Sequence, residues 1–139
     1  HGGNLGADVY YSGTVAAVRE GVLHGWPGIA FSQYMRDDIT PDWQRVSLWV
    51  ARVLELLLPK PVLPGQFYNV NFPALTAAAD EPEIVFTPLD PNPLPLSYRH
   101  EENDRHHYDG VYAARPRKPG SDVDTCFGGR ISVTDIRLF

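Results

Sequence analysis

The strongest constraint on the fold is the order of apolar segments in the first half of the chain, where helical stripes and short apolar runs alternate. Apolar residues recur at helical spacing over residues 15–23 and again over residues 43–57. The short runs 28–31 and 65–73 follow these two segments in turn, and such runs are typical of buried strands. Helices that alternate with strands predict an α/β fold with a parallel-sheet core.

Both predicted helices carry start signals. Ser12 precedes the first stripe, and Gly25 and Pro27 follow it. Before the second stripe, Thr40-Pro41-Asp42 supplies a capping hydroxyl, a proline at the first helical position and an acid in the first turn. We therefore expect residues 1–11 to form a polar loop that leads into the first helix. The tryptophans are predicted to be core residues: Trp26, Trp43 and Trp49.

The second half of the chain is less regular. Of the 13 prolines in the whole chain, most lie between Pro59 and Pro119, which favours extended and loop structure there. Short strands are predicted at residues 83–87 and 130–136. Between them, residues 88–119 are expected to contain a hairpin arm that projects from the body. That hairpin is predicted from Tyr98, Tyr108, Val111 and Tyr112.

Composition excludes several classes of function. A formal net charge of -5 provides no basic field for a nucleic-acid polymer, so a small charged ligand needs a local site. No apolar run reaches the ~18 residues of a membrane span. The single cysteine, Cys126, excludes an internal disulfide framework. It is interpreted as a small buried apolar residue, since no activating base is recognisable beside it.

The segment most informative about function is the glycine-rich loop that delivers Ser12, Gly13 and Thr14 onto a helix N-terminus. The first amides of a helix lack internal partners, and the helix dipole adds positive potential there. Small residues let an anion approach these donors, and the hydroxyls of Ser12 and Thr14 add two more. The residues predict a phosphate cradle, with a plain N-cap as the alternative. The segment is not a Walker motif, because no lysine follows Gly13.

The same segment resembles the signature of the SurE survival-protein family. The matching positions are Gly3-Asn4-Leu5-Gly6-x-Asp8-x-x-Tyr11-Ser12-Gly13-Thr14-Val15-Ala16-Ala17-x-Arg19-Glu20-Gly21. The resemblance continues less densely in residues 27–32, 69–73 and 129–134. It implies a Rossmann-like α/β fold, with residues 1–139 as the C-terminal part of a single SurE-like domain. It also implies a divalent-metal-dependent phosphatase acting on nucleoside 5'-monophosphates and similar phosphomonoesters.

The resemblance implies roles for individual residues. Asn4 and the turn Ser12-Gly13-Thr14 are expected to bind phosphate, and Ser12 and Thr14 are the candidate catalytic residues. Asp8 is a possible further site residue, with a loop-closing Asx turn as the alternative. The family's metal ligands align before His1, so Mg²⁺ or Mn²⁺ is expected to be held upstream and no metal ligand is predicted within the chain.

The resemblance further implies an assembly and a location. The expected assembly is a homodimer or homotetramer, joined partly through the projecting hairpin, and the expected compartment is the cytoplasm. A non-catalytic anion-binding or oligomerisation remnant is the alternative function. A hydrolase with Ser12 as nucleophile is disfavoured, because Tyr10 and Thr14 stand where a Gly-x-Ser-x-Gly elbow has glycines.

Two charged segments invite a metal interpretation. Asp37-Asp38 follows a predicted strand, but Ile39 replaces the expected glycine and a capped helix begins directly after it, so solvated loop charges are predicted. A second cluster comprises His100, Glu101, Glu102, Asp104, His106 and His107. Its spacing matches no zinc pattern, and a solvated or interface arm is predicted instead. The neighbouring Tyr98 and Tyr108 either pack the arm or stack on a nucleobase.

Overall fold

Four strands form one sheet at the centre of the fold. The computed structural model describes residues 2–139, and His1 lies outside them. The sheet strands are β1 (Ile29–Gln33), β2 (Gln66–Phe72), β3 (Ile84–Phe86) and β6 (Ile131–Arg137), and a separate hairpin consists of β4 (Tyr98–Glu101) and β5 (Arg105–Tyr108). The α-helices are α1 (Gly13–Leu23), α2 (Trp43–Leu57) and α3 (Asp122–Phe127), and two 3-10 helices span Gly6–Tyr10 and Tyr112–Ala114.

The sheet has the order β1-β2-β6-β3 and is mixed. Strands β1 and β2 are parallel, as are β3 and β6, whereas β2 and β6 are antiparallel. The predicted α/β fold is confirmed, but the sheet is not parallel throughout. The apolar pattern of a strand reports its burial rather than its direction, so the reversal of β6 had no signal in the sequence.

Strand β2 lies between the two long helices, and every one of its residues is buried. Tyr68, Val70 and Phe72 pack with the buried face of α2. Phe67 points to the other side, where it packs with Val15 and Val22 of α1. Because side chains alternate along a strand, Asn69 and Asn71 share the α1 side with Phe67. The centre of the sheet therefore carries two buried amides on the side of the predicted phosphate loop.

The helix starts confirm one prediction and correct two. Ser12 is the N-cap of α1, as predicted. The residues before it are not all loop, because Gly6–Tyr10 forms a 3-10 helix. The cap of α2 is Asp42 and not Thr40: one Asp42 oxygen accepts the Gln44 and Arg45 amides at 3.0 and 3.1 Å. An anionic acceptor suits the positive end of the helix better than a hydroxyl does, and Pro41 then precedes the helix.

Two of the three tryptophans are not core residues. Trp49 is 2% exposed and lies on the buried face of α2, as predicted, but Trp43 is 60% and Trp26 71% exposed. Trp43 is the first residue of α2 and lies outside the buried stripe formed by Val46, Trp49, Val53 and Leu57. Trp26 lies in the turn after α1. The prediction for Trp26 and Trp43 was wrong because it rested on residue type and not on the position of each residue in the fold.

The second half contains a hairpin that is smaller than the predicted arm. It spans residues 98–108, with Tyr98 opposite Tyr108. Their rings meet edge to face with centroids 5.4 Å apart. The two tyrosines therefore pack the arm, which is one of the two alternatives predicted for them. Tyr112 is not part of the hairpin; it lies in a 3-10 helix on the body. Helix α3 was not predicted, since six residues are too few to present a measurable period.

Helix α3 is fixed by two buried carboxylates. Oδ2 of Asp90 accepts the Ser121 hydroxyl at 2.6 Å and the Lys118 amide at 2.7 Å, and Oδ1 accepts the backbone and side-chain amides of Asn92. Burial alone raises the pKa of Asp90, but these hydrogen bonds outweigh it and hold that pKa below its usual value. The Asp90 amide in turn donates to Asp122 Oδ1 at 2.8 Å, which joins the two segments.

The remaining two predictions about the body concern Cys126 and the membrane. Cys126 is 1% exposed and burial raises its pKa, so the small-apolar interpretation is confirmed. No helix within residues 2–139 combines the length and the apolar character needed to cross a bilayer.

The Asp90→Asn variant mimics a protonated Asp90 and should lower the free energy of unfolding by about 2 kcal/mol near neutral pH. Because the folded pKa lies below the unfolded one, this stabilisation is present above about pH 4 and is lost as the pH falls through the folded pKa. Urea unfolding of wild type and variant at several pH values measures it, with the exposed Asp80→Asn as control. If the difference in unfolding free energy between wild type and Asp90→Asn stays constant into strong acid, the interpretation is contradicted.

Candidate functional site

A cavity of about 460 Å³ opens at the carboxyl end of β1, beside the start of α1. Ligands of open α/β sheets bind at this end of the strands. The structure brings four predicted site residues together on its wall: Asn4, Ser12, Gly13 and Thr14. The rest of the wall consists of Gly2, Gly3, Phe31, Ser32, Gln33, Met35 and Trp43.

The polar end of the cavity is the first turn of α1. The Ser12 hydroxyl accepts the Val15 amide at 3.1 Å, so Ser12 is a helix cap. The amides of Gly13 and Thr14 have no acceptor anywhere in residues 2–139. Gly13 and Thr14 are exposed, and a Cβ placed on Gly13 meets nothing within 4 Å. Two unpaired amides at the positive end of an 11-residue helix therefore face open space, which is the arrangement that binds anions.

Asn4 is clamped against β2 through its backbone. Oδ1 of Asn71 accepts the Asn4 amide at 2.7 Å. The Asn4 carbonyl accepts the side-chain amides of Asn69 at 2.8 Å and of Asn71 at 3.1 Å. Both asparagines are 0% exposed. Buried amides require partners, so these three hydrogen bonds hold the loop in one place against the strand. Among the side-chain polar atoms of the two asparagines, Oδ1 of Asn69 has no partner within residues 2–139.

The Asn4 side chain faces the cavity wall. Its amide nitrogen donates to the Ser32 hydroxyl at the end of β1. An amide nitrogen carries two protons, so one Asn4 donor remains for a ligand.

Asn69 and Asn71 are positioning residues whose role sequence reasoning missed. The resemblance of residues 69–73 to the family assigns no role to either asparagine. The available signal was the spacing: two asparagines two positions apart in an apolar strand share one face and need a common partner.

The loop is held a second time at Gly6. Its amide donates to Oδ2 of the fully buried Asp122 at 2.7 Å. Gly6 has φ of +54° and a Cβ there would stand 3.1 Å from Asp90, so both conformation and space require glycine. Burial raises the pKa of Asp122, and the amides of Gly6, Asp90 and Val123 offset part of that effect.

Asp8 does not line the cavity. Its Oδ2 accepts the Tyr112 hydroxyl at 2.7 Å and Nη1 of Arg115 at 2.7 Å. The Arg115 side chain is 0% exposed, so this is a buried ion pair and not an Asx turn. Burial and then the hydrogen bond to Asp8 raise the pKa of Tyr112 far above its usual value. The Asp8 carbonyl accepts the Tyr11 and Ser12 amides, which places the pair directly beneath the start of α1.

The described wall does not fit a divalent metal ion by itself. Mg²⁺ is bound by oxygen ligands that include carboxylates. The wall formed by residues 2–43 offers hydroxyl and amide groups but no carboxylate. Asp37 and Asp38 are exposed, and Asp38 pairs with Arg36 at 2.7 Å, as expected of solvated loop charges. The donors present suit an anion and not a cation.

These features define an α/β protein of the Rossmann-like type, with an open pocket lined by unpaired amides where a helix begins beside the end of a strand. The family model described as "Survival protein SurE" matches residues 1–92. The chain belongs to the SurE family.

Individual relatives agree with this placement. A Nostoc sp. protein named as a proposed 5'-nucleotidase is 49% identical over 137 residues, which are 99% of this chain and 60% of that protein. The "5'-nucleotidase SurE" of Paramagnetospirillum magneticum is 37% identical, over 97% of this chain and 53% of its own length. The crystal structure of the SurE protein from Aquifex aeolicus superimposes with a TM-score of 0.77 at 25% identity, covering 99% of this chain and 56% of that one. The chain thus spans a little over half the length of these relatives.

The buried pair beneath α1 should make a large contribution to stability. Asp8→Asn leaves the Arg115 charge buried without its partner, and we expect a loss of about 3 kcal/mol in the free energy of unfolding. Urea unfolding measures the loss. The control is Asp38→Asn, which breaks the exposed pair with Arg36 and should cost far less. Equal losses for the two variants would show that burial of the Asp8–Arg115 pair does not increase its contribution to the free energy of unfolding.

Proposed function

We propose that this chain forms the phosphate-binding part of a divalent-metal-dependent phosphatase that hydrolyses nucleoside 5'-monophosphates and similar phosphomonoesters. The observation that carries the proposal is the pair of unpaired amides, at Gly13 and Thr14, that face an open cavity. Family membership and the names of the relatives support the same reaction.

The first turn of α1 would act on the phosphoryl group. Its two amides and the hydroxyls of Ser12 and Thr14 would stabilise negative charge on the phosphoryl oxygens as the ester bond breaks. Asn4 would add one donor through its side-chain amide nitrogen. The clamp by Asn69 and Asn71 supports this role, because donors fixed before the substrate arrives need no reorganisation during the reaction.

Metal dependence is part of the proposal. Mg²⁺ or Mn²⁺ would supply Lewis acidity at the phosphoryl group, with ligands that come chiefly from outside the described cavity wall. The wall residues would bind and orient the anion.

The apolar part of the cavity wall supports a nucleoside as the rest of the substrate. Trp43, Met35 and Phe31 add apolar surface to a wall whose other residues are glycine or polar. The Trp43 indole is 60% exposed and accessible to a flat ligand. Stacking of a base on an aromatic side chain is worth about 1–3 kcal/mol. We infer that Trp43 stacks on the base while the α1 turn holds the phosphate.

The phosphate role is tested by Ser12→Ala combined with Thr14→Ala. Loss of two hydrogen bonds to a charged group should lower kcat/KM for adenosine 5'-monophosphate by about 100-fold or more. Phosphate release in the presence of Mn²⁺ or Mg²⁺ measures it. Ser47→Ala combined with Thr76→Ala removes a serine and a threonine hydroxyl outside the cavity and should leave kcat/KM unchanged. Phosphate binding without turnover in wild type would instead favour the non-catalytic module.

The base-stacking role is tested by Trp43→Ala. We expect KM for adenosine 5'-monophosphate to rise by about tenfold, since stacking is lost, while KM for ribose 5-phosphate stays the same. Trp43→Phe keeps an aromatic face and should retain most of the affinity. As a control, Trp26→Ala removes an even more exposed indole that is not on the cavity wall, and it should leave both KM values unchanged. If the two phosphates respond equally to Trp43→Ala, the indole does not contact the base.

A further inference from the structure

The projecting hairpin brings two histidines into direct register. In the β4–β5 pairing His100 lies opposite His106, and Tyr98 lies opposite Tyr108. Because alternate residues of a strand share a face, these four side chains occupy one face of the hairpin and His107 the other. The two imidazole rings have centroids 5.1 Å apart. The side chains of His106 and His107, which are adjacent in the chain, therefore point to opposite faces. His100 and His106, six positions apart, face each other.

The turn adds a carboxylate to this histidine pair. Asn103 and Asp104 have φ of +66° and +59°, the left-handed conformation that Asn and Asp tolerate better than other side chains. This bend returns Asp104 Oδ1 to 3.4 Å from His100 Nε2. One candidate ligand atom from each of His100, Asp104 and His106 lies within 4.8 Å of the other two.

These spacings suit a shared ion better than direct hydrogen bonds. A charge-assisted N–H···O bond is about 2.7–2.9 Å long, shorter than the observed 3.4 Å. Metal–ligand bonds of about 2.0–2.1 Å at tetrahedral angles place neighbouring ligand atoms about 3.4 Å apart. The His100–Asp104 separation is already that of two zinc ligands, and His106 needs only a small side-chain movement to complete the set.

We propose that His100, Asp104 and His106 bind one divalent transition-metal ion of the Zn²⁺, Ni²⁺ or Cu²⁺ class across the hairpin. Two imidazoles and a carboxylate match the preference of these ions, whereas Mg²⁺ selects all-oxygen sites. The site is thus separate from the Mg²⁺ or Mn²⁺ of the proposed phosphatase. Three protein ligands leave a fourth position for water or another donor. An isolated two-stranded hairpin is marginally stable, so an ion that joins both strands and the turn would stabilise it.

Titration of the untagged chain with ZnCl₂ by isothermal calorimetry tests the proposal. We expect one saturable site in wild type. His100→Ala and His106→Ala should each weaken Zn²⁺ binding by more than about tenfold, since even outer-shell partners of metal ligands are worth about 10–100-fold. Asp104→Asn keeps a residue that tolerates the left-handed turn and removes the charge, and it should also weaken binding. MgCl₂ should give no binding at the hairpin.

The matched controls are His107→Ala, on the opposite face of β5, and His24→Ala, which pairs with Glu20 on α1. Neither should change Zn²⁺ affinity. In wild type, the ring signals of His100 and His106 should shift together in NMR spectra on Zn²⁺ addition, while that of His107 stays in place. Absence of saturable Zn²⁺ binding, or an equal loss with His107→Ala, would overturn the proposal.

Discussion

The clamp between β2 and the Asn4 loop is the interaction on which the site depends. Strand β2 is covered on both faces, so the amides of Asn69 and Asn71 are buried where water cannot satisfy them. The Asn4 carbonyl accepts the side-chain amides of both, and the Asn4 N–H donates to Oδ1 of Asn71. Removing the loop would leave two polar side chains unpaired in the core. The stability of the sheet and the position of the loop therefore depend on the same hydrogen bonds.

This clamp fixes the loop that leads into α1, where we propose that the phosphate binds. The loop ends at Ser12, whose hydroxyl caps α1 and leaves the next two amides free. From below, Asp8 pairs with Arg115 and its carbonyl accepts the Ser12 amide. In a chain of net charge -5 no general positive field attracts a phosphate. A fixed pair of amides at the positive end of a helix can attract an anion locally instead, and the proposed phosphate site is consistent with membership of a family whose relatives are named 5'-nucleotidases.

Features that depend on residues close together in the chain were predicted from the sequence, whereas contacts between distant residues were missed. The α/β alternation and the Ser12 cap depend on neighbouring residues, and both are confirmed. Trp43 was assigned to the core from its residue type, because its position at the start of α2 becomes visible only when Asp42 is known to be the cap. The partner of Asn69 lies 65 residues away; the spacing of Asn69 and Asn71 indicates that they need a common partner, but not which residue supplies it. The homodimer or homotetramer stays a prediction.

The most direct test of the central claim is a titration of the ¹⁵N-labelled chain with adenosine 5'-monophosphate, followed amide by amide by NMR. The account predicts that the Gly13 and Thr14 amides show the largest saturable shifts, and that inorganic phosphate produces the same shifts with lower affinity. Saturable shifts confined to other surfaces, with the amides of Gly13 and Thr14 unmoved, would contradict it.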